Sequence, residues 1–241
     1  LRQAVPGWPA AVVPTHERAS STITAKLDNQ TLTRSAPDSR PDDQEEPPIM
    51  TDQPRILAFA GSARKDSFNV KLVHIAAAGA RAAGAEVTVL DLNDFPMPLF
   101  NQDLEATDGP PPQASRLKEI MRAHGGLLIA SPEYNSSISP LLKNTIDWVS
   151  RPADGEQMLA AYQGKVAGLM SASPGRLGGL RGLVHLRSIL SNIGVLVIPD
   201  QVAVGEAGAA FDDSGDLVDN RRRASVQGVG RTVTTLVGWN R

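Results

Sequence analysis

The sequence predicts a doubly wound α/β domain: five parallel strands in the order 2-1-3-4-5, covered by helices on both faces, behind a disordered N-terminal tail. Three observations predict it. From Arg55 onward, short apolar runs alternate with longer amphipathic ones. The short runs are apolar on successive residues rather than on every second one, the pattern of strands buried on both faces. Each of the first four is followed by a connection long enough to return the chain parallel to itself, which places helices on both sides of one sheet.

Residues 1–50 read as a tail and 51–241 as a single domain. From Leu1 to Ile49 there is little helical or strand period and much Pro, Ser, Thr, Asp and Arg, and residues 35–48 have a disordered-linker composition. The apolar core of a signal peptide is missing. The acid-poor stretch before Gln30 leaves a transit peptide as the weaker reading, and a floppy tail is preferred. Met50, just before the periodic sequence, offers a start for the folded part on its own.

Within the domain, Ile56 to Ala60 is the first strand, and Ser67 to Ala83 is a helix stopped by Gly84. Glu86 to Leu90 is the second strand. A long connection from Asp91 to Pro112 carries Phe95-Pro96-Met97-Pro98-Leu99-Phe100 and an acidic, proline-rich piece. Gln113 to Ala123 reads as a helix and Gly126 to Ala130 as the third strand. Apolar residues at Leu141, Leu142, Ile146, Trp148 and Val149 have helical spacing. Lys165 to Met170 is the fourth strand, Leu180 to Asn192 a helix, and Gly194 to Ile198 the fifth strand, closed by Pro199. A last helix of weaker period lies between Asp216 and Leu236. This succession matches the flavodoxin-like sheet, whose ligands gather at the carboxyl ends of the strands near the switch point between the first and third.

Composition removes whole classes of function. A net charge of −2 with 21% charged residues gives no reason to expect nucleic acid or an acidic membrane as partner. Without cysteine there are no disulfides, thiolate zinc sites, iron–sulfur clusters or cysteine nucleophiles. The apolar runs are strand-length, so no transmembrane helix is expected. His16, His74, His124 and His185 are isolated from one another, and no metal site is expected. A G-x-S-x-G elbow is absent, which argues against a serine hydrolase.

Three loops at the predicted strand ends carry the chemistry. Gly61 to Asn69 precedes a helix whose first N–H groups lack partners and whose dipole is positive there, an anion site. Ser62, Ser67 and Asn69 add neutral donors and Arg64 a charged fork. Neither G-x-x-x-x-G-K-[ST] nor G-x-G-x-x-G is present, so a terminal phosphate monoester, as in FMN, suits the loop best. A plain cap by Ser67 with a solvated turn is the alternative. The second loop, Ser131-Pro132-Glu133-Tyr134-Asn135-Ser136-Ser137, offers a flat ring and a stiffened turn suited to a planar heterocycle. The third, Ser171 to Gly179, is small and hydroxyl-rich.

From about Met50 to Asp219 the chain resembles the NADPH-dependent FMN reductase family, which includes chromate and quinone reductases. The matching pieces are G-S-x-R-x-x-S-x-N at Gly61 to Asn69, P-E-Y-N at Pro132 to Asn135, L-K-N-x-I-D-W at Leu142 to Trp148, and S-P-G-x-x-G-G at Ser173 to Gly179. The resemblance implies a flavodoxin-like fold, bound FMN, NADPH or NADH as co-substrate, and a homodimer or homotetramer. It assigns the phosphate to Ser62, Arg64, Ser67 and Asn69. It assigns the isoalloxazine and ribityl chain to Pro132, Glu133, Tyr134, Asn135 and Ser136, and places Ser171, Ser173 and Gly175 beside the ring. Some relatives carry Gly where Ser136 stands. No catalytic side chain is then required, because FMN carries the redox chemistry. The expected enzyme is cytoplasmic, passing electrons to a quinone, free flavin, azo compound or metal oxyanion; a flavodoxin-type electron carrier is the alternative. Arg151 and Arg176 are candidates for the nucleotide's phosphates, Lys143 and Asp147 for a helix ion pair, and Arg221-Arg222-Arg223 for a solvated helix face.

Overall fold

The computed structural model describes residues 53–153 and 155–239; the tail expected over 1–50 lies outside the described residues. The strands β1 (Arg55–Ala60), β2 (Glu86–Leu90), β3 (Gly126–Ala130), β4 (Val166–Ala172) and β5 (Leu196–Val204) form one sheet in the order β2-β1-β3-β4-β5. All four pairings are parallel, so the expected flavodoxin-like topology is the observed one. The helices are α1 (Phe68–Ala82), α2 (Gln102–Asp108), α3 (Pro112–Arg122), α4 (Pro140–Val149), α5 (Leu180–Asn192), α6 (Ala207–Ala210) and α7 (Asn220–Trp239). No helix among the described residues is long and apolar enough to cross a membrane.

Alternation along the strands divides the interior in two. Ile56, Ala58, Leu128, Ala130, Val166 and Met170 point to one face and pack under α1 and α7. Leu57, Phe59, Leu127, Ile129, Ala167 and Leu169 point to the other and pack under α3, α4 and α5. Both sets are almost fully buried, which is why the strands read as continuous apolar runs.

Two elements differ from expectation. The fifth strand does not close at Pro199 but runs on to Val204. Its register to β4 slips, with Ala167 opposite Val197 but Leu169 opposite Gln201. An edge strand with a bulge accommodates proline, whose missing N–H costs no ladder bond there. Arg187 on α5 donates to the carbonyls of Val197 at 3.1 Å and Ile198 at 2.8 Å, satisfying groups that the bulge turns outward. The second difference is α2, inside what reads as an irregular connection. Its start is set by Asn101, whose side chain accepts from the Asp103 N–H at 2.8 Å. It buries no residue, so it has no apolar period to betray it. The proline-rich part of that connection is tied down by α4: Trp148 Nε1 donates to Pro98 O at 2.7 Å, and Asn144 donates to the same oxygen at 2.9 Å. Trp148 is fully buried, which settles its role as core.

The helices α1 and α7 meet backbone to backbone. A Cβ added at Gly79 would lie 2.2 Å from Gln227 O, and one at Gly230 would lie 2.1 Å from Ala76 O. Neither neighbour is a flexible side chain that could swing away. Gly230→Ala should therefore lower stability by about 1–3 kcal/mol from forced overpacking, although alanine favours an isolated helix by about 1 kcal/mol. Urea unfolding of the two proteins measures it; a stabilised variant would show that the helices separate freely.

Candidate active site

The carboxyl ends of β1, β3 and β4 bring the three loops of the sequence analysis around one recess of about 80 Å³. Ser62, Arg64, Ser67 and Asn69 line it from the first loop, Pro132, Glu133 and Tyr134 from the second, and Ser173 from the third. Larger recesses of about 380 Å³ lie beside α1 and α7 and beside the end of β2. Neither combines a loop of free amides with an aromatic turn, so chemistry rather than size locates the site. Among the described residues no group of three or more His, Asp or Glu is placed to hold a metal ion.

The first loop is an anion cradle. Ser67 is the N-cap of α1, its hydroxyl oxygen accepting from the Asn69 N–H at 3.2 Å. Ser62 Oγ accepts from the Arg64 N–H at 3.3 Å. The N–H groups of Ser62, Ala63, Lys65, Asp66, Ser67 and Phe68 donate to no protein acceptor among the described residues. Six unpaired amides at the positive end of a 15-residue helix, with two serine hydroxyls still able to donate, form a nest for an anion. Arg64 stands exposed over it, its guanidinium 5.9 Å from the Phe68 ring. Phe68 in turn stacks on Phe211 at 5.7 Å, which pins the start of α1 to the segment after α6.

Asn69 lines the recess but is committed elsewhere. Its amide donates to Ala172 O at 2.9 Å and accepts from the Ala172 N–H at 2.9 Å, with the residue buried. It joins the first turn of α1 to the end of β4. Ser139 performs the matching task for α4, donating to Gly61 O at 2.5 Å while capping Leu142 N at 3.2 Å. Gly61 admits this contact because a Cβ there would meet Leu142 at 2.8 Å.

The second loop is a two-residue turn. Tyr134 and Ser137 exchange both backbone hydrogen bonds, at 2.9 and 3.0 Å. Asn135 and Ser136 between them both have positive φ, 49° and 66°. Asparagine tolerates that region, and the second position favours glycine. Tyr134 is left 46% exposed, its ring free on the rim. Pro132, two residues earlier, is buried.

Glu133 does not turn its carboxylate to the recess alone. Oε1 accepts from Arg181 at 2.5 and 2.9 Å, and Oε2 accepts from the Gly182 N–H at 3.1 Å, at the start of α5. Burial pushes its carboxyl up, but the Arg181 and Gly182 hydrogen bonds outweigh it and hold the group below the usual range. His185 Nδ1 lies 2.9 Å from Ser137 Oγ and fastens the far side of the turn. Arg181 and His185 are therefore part of the site's support, although neither stands out in the sequence.

The third loop contributes unevenly. Ser173 lines the recess, its Oγ accepting from the Gly175 N–H at 3.3 Å. Gly175 lines an adjoining recess instead. Ser171 is fully buried, and its Oγ sits where a Cβ on Gly179 would fall 1.9 Å away, so it lines neither. Its position under the glycine pair explains why Gly179 has no side chain; the assignment beside a ring does not follow from where it lies. Asn135 and Ser136 form the tip of the turn rather than the wall. Arg151 pairs with Glu105 at 2.6 Å and lies over Phe100 at 5.8 Å, which removes it from the rim. Lys143 and Asp147 form the expected pair at 2.8 Å.

The left-handed serine gives a direct test. Ser136→Gly should relieve a conformation that costs an L-residue roughly 1–2 kcal/mol, less the greater entropy of glycine in the unfolded chain. A net gain of about 1 kcal/mol, read as a rise in Tm of about 2–4 °C, is expected. A fall in Tm would mean that the serine side chain makes contacts worth more than the strain.

Residues 54–209 match the NADPH-dependent FMN reductase family. The chain is 36% identical over 179 residues to the NAD(P)H-dependent FMN reductase of Pseudomonas aeruginosa, covering 74% of this chain and 92% of that one. It is 33% identical over 169 residues to a quinone reductase of Pseudomonas putida, covering 69% and 86%. Among solved structures, the flavoenzyme NAD(P)H:(acceptor) oxidoreductase FerB of Paracoccus denitrificans superimposes with a TM-score of 0.65 at 27% identity, over 76% of this chain and 97% of that one. With the amide nest, the aromatic turn and the glycine loop on one rim of a 2-1-3-4-5 sheet, the chain belongs to the NADPH-dependent FMN reductase family.

Proposed function

We propose that the protein oxidises NADPH or NADH and passes the electrons to a small-molecule acceptor, with quinones the first class. The family makes it an oxidoreductase that binds FMN and uses NAD(P)H. The observation that carries the reading is the first loop: six unpaired amides, two hydroxyls and an exposed guanidinium match a phosphate monoester. A recess of about 80 Å³ is too small to enclose a whole flavin nucleotide, so it holds one end of it.

When bound, FMN supplies the acceptance of hydride from the nicotinamide and its delivery onward. The chain's own residues bind and orient. Ser62, Arg64 and Ser67 would hold the phosphate. Pro132 and Tyr134 would lie against the ring, and Glu133, through Arg181 and Gly182, keeps that turn in place. The exposed rim around Tyr134 supports access of both nucleotide and acceptor to a cofactor held there. Quinones lead because relatives in Pseudomonas putida and rice carry that name, and an open rim also admits free flavins, azo compounds and metal oxyanions. Exposed Leu177, Leu180 and Val184 beside the rim support a homodimer or homotetramer. Dependence on NAD(P)H favours the cytoplasm as its place of action. Residues 51–241 carry this activity, and residues 1–50 form a dispensable tail.

Two experiments test this. Purified protein, full-length and lacking residues 1–48, should be yellow with FMN alone, and anaerobic NADPH should bleach both at similar rates. Retention of colour under NADPH would favour a simple electron carrier, and loss of flavin from the shortened chain would show that the tail belongs to the fold. Arg64→Ala should weaken FMN binding to apoprotein on the order of tenfold to a hundredfold, since a charge-assisted hydrogen bond is worth about 1.5–3 kcal/mol. The reduction rate of the flavin-loaded fraction should change less. Normal FMN affinity with lost NADPH reduction would reassign Arg64 to the nucleotide.

A further inference from the structure

We propose that the recess between α1 and α7 is a second ligand site, which takes a small organic carboxylate held by Lys71, His74 and Gln227. Its volume of about 380 Å³ falls within the range of roughly 300–1,000 Å³ that small-molecule ligands occupy. The helix α1 lines it with Lys71, His74, Ile75 and Ala78, and α7 lines it with Gln227. The turn before α7 closes it with Ser214, Gly215 and Asp216. None of these residues lines the flavin cleft, so the two sites can be filled at once.

Three donors meet here unspent. Lys71 and His74 stand one turn apart on α1, and Gln227 reaches the recess from the helix packed alongside. The side chains of all three have no hydrogen-bond or ion-pair partner among the described residues. An imidazole carries an N–H in either protonation state, so His74 can donate throughout. Asp216 is the one carboxylate of the lining, and it is already engaged. Its Oδ2 accepts from Arg223 at 2.9 Å and its Oδ1 from the Leu217 N–H at 2.8 Å. What is left is a single lysine charge, two neutral donors and an apolar wall of Ile75 and Ala78. That set matches a monoanion with a short apolar body. A phosphate monoester carries about −1.5 to −2 at neutral pH, and its second charge would meet no free cation here. The recess beside the end of β2 shares His74 but is rimmed by Asp91 and Asp94, which turn an anion away.

The lysine is held ready. Its stem runs along Gly215, with Cγ and Cδ each 3.6 Å from where a Cβ on that glycine would lie. Its ammonium is 6.0 Å from the centroid of Phe211, a cation–π contact, and Phe211 is itself fixed by stacking on Phe68. A cation placed by a glycine and a ring before the ligand arrives loses little freedom on binding it, which is how preorganisation raises affinity. Gln227 is half-buried, and its carbonyl lies 2.2 Å from where a Cβ on Gly79 would fall, so its main chain is fixed as well.

The test titrates FMN-loaded protein with hexanoate, 1-hexanol and hexyl phosphate, read by ligand-observed saturation-transfer NMR. Hexanoate should bind, raise the Tm and leave the visible flavin spectrum unchanged. The alcohol has the same body without the charge and should bind on the order of tenfold more weakly. Hexyl phosphate should bind no better than hexanoate. Lys71→Met keeps the stem, removes the charge and should weaken hexanoate on the order of tenfold to a hundredfold. Lys71→Arg should recover most of that loss, and Gln227→Glu should weaken binding by setting one carboxylate against another. Retained flavin and far-UV circular dichroism show that each variant is folded, and Lys71→Gln repeats the test should the methionine variant fail to fold. Equal binding of the alcohol, tighter binding of the phosphate, unchanged affinity in Lys71→Met or no binding of hexanoate to wild type would each overturn the proposal. So would a flavin spectrum that shifts on hexanoate binding, which would place the ligand in the cleft.

Discussion

The amide of Asn69 acts as a strand partner for a single residue. By donating to Ala172 O and accepting from Ala172 N, both at 2.9 Å, it completes the ladder position at the end of β4 from the first turn of α1. The pair is buried, where an unmade hydrogen bond costs about 1–3 kcal/mol per group. No hydrophobic residue could satisfy both groups. The result is geometric as much as energetic: the amide nest belonging to β1 and α1 is held at a fixed distance from the loop leaving β4. A recess formed by loops from non-adjacent strands needs a tie of this kind, because the sheet fixes strands but leaves their loops free.

That tie works only if α1 itself is held, and packing holds it from two sides. One side is the apolar face of the sheet through Leu72, Val73, Ala76 and Ala80. The other is α7, in backbone contact at Gly79 and Gly230. Close approach at small residues fixes the crossing point of two helices more sharply than interlocked side chains, which can change rotamer. At the positive end of α1 the ring stack of Phe68 on Phe211 adds a third contact, so the helix that carries the unpaired amides is restrained at its start, along its sheet-facing side and near its end.

The legibility of the chain follows from where its information is local. Buried parallel strands announce themselves by continuous apolar runs, and their order follows from the alternation with helices, so the sheet was readable from Ile56, Leu127 and Val166 outward. The loops were readable because glycine, serine and arginine at a strand-to-helix junction have few purely structural uses in combination. The course of β5 past Pro199 was not, because the tolerance depends on β5 being an edge strand relieved by Arg187, which lies outside the strand on α5. Helix α2 was hidden because it buries nothing, and α7 was blurred because its contact face contains Gly230 and Thr234, which carry no apolar signal. Ser171 and Asn69 looked like ligand groups by composition. Ser171 is fully buried beneath Gly179, while Asn69 lines the recess but spends its amide on Ala172, and neither arrangement shows in composition.

Glu133 shows how the support of the site divides its labour. Among unpaired amides meant for an anion, a free carboxylate would repel what the loop is built to attract. Pairing with Arg181 and the Gly182 N–H removes that repulsion and keeps the carboxyl ionised. The same pairing places a second constraint on the turn that holds Asn135 and Ser136 at positive φ. Backbone strain of that kind persists only where surrounding contacts over-determine it. Tyr134 N and O, bonded to Ser137, and Glu133, bonded to α5, supply those contacts on both sides of the strained pair. The tyrosine ring is thereby held on the rim, 46% exposed, by a turn that is fixed from both sides.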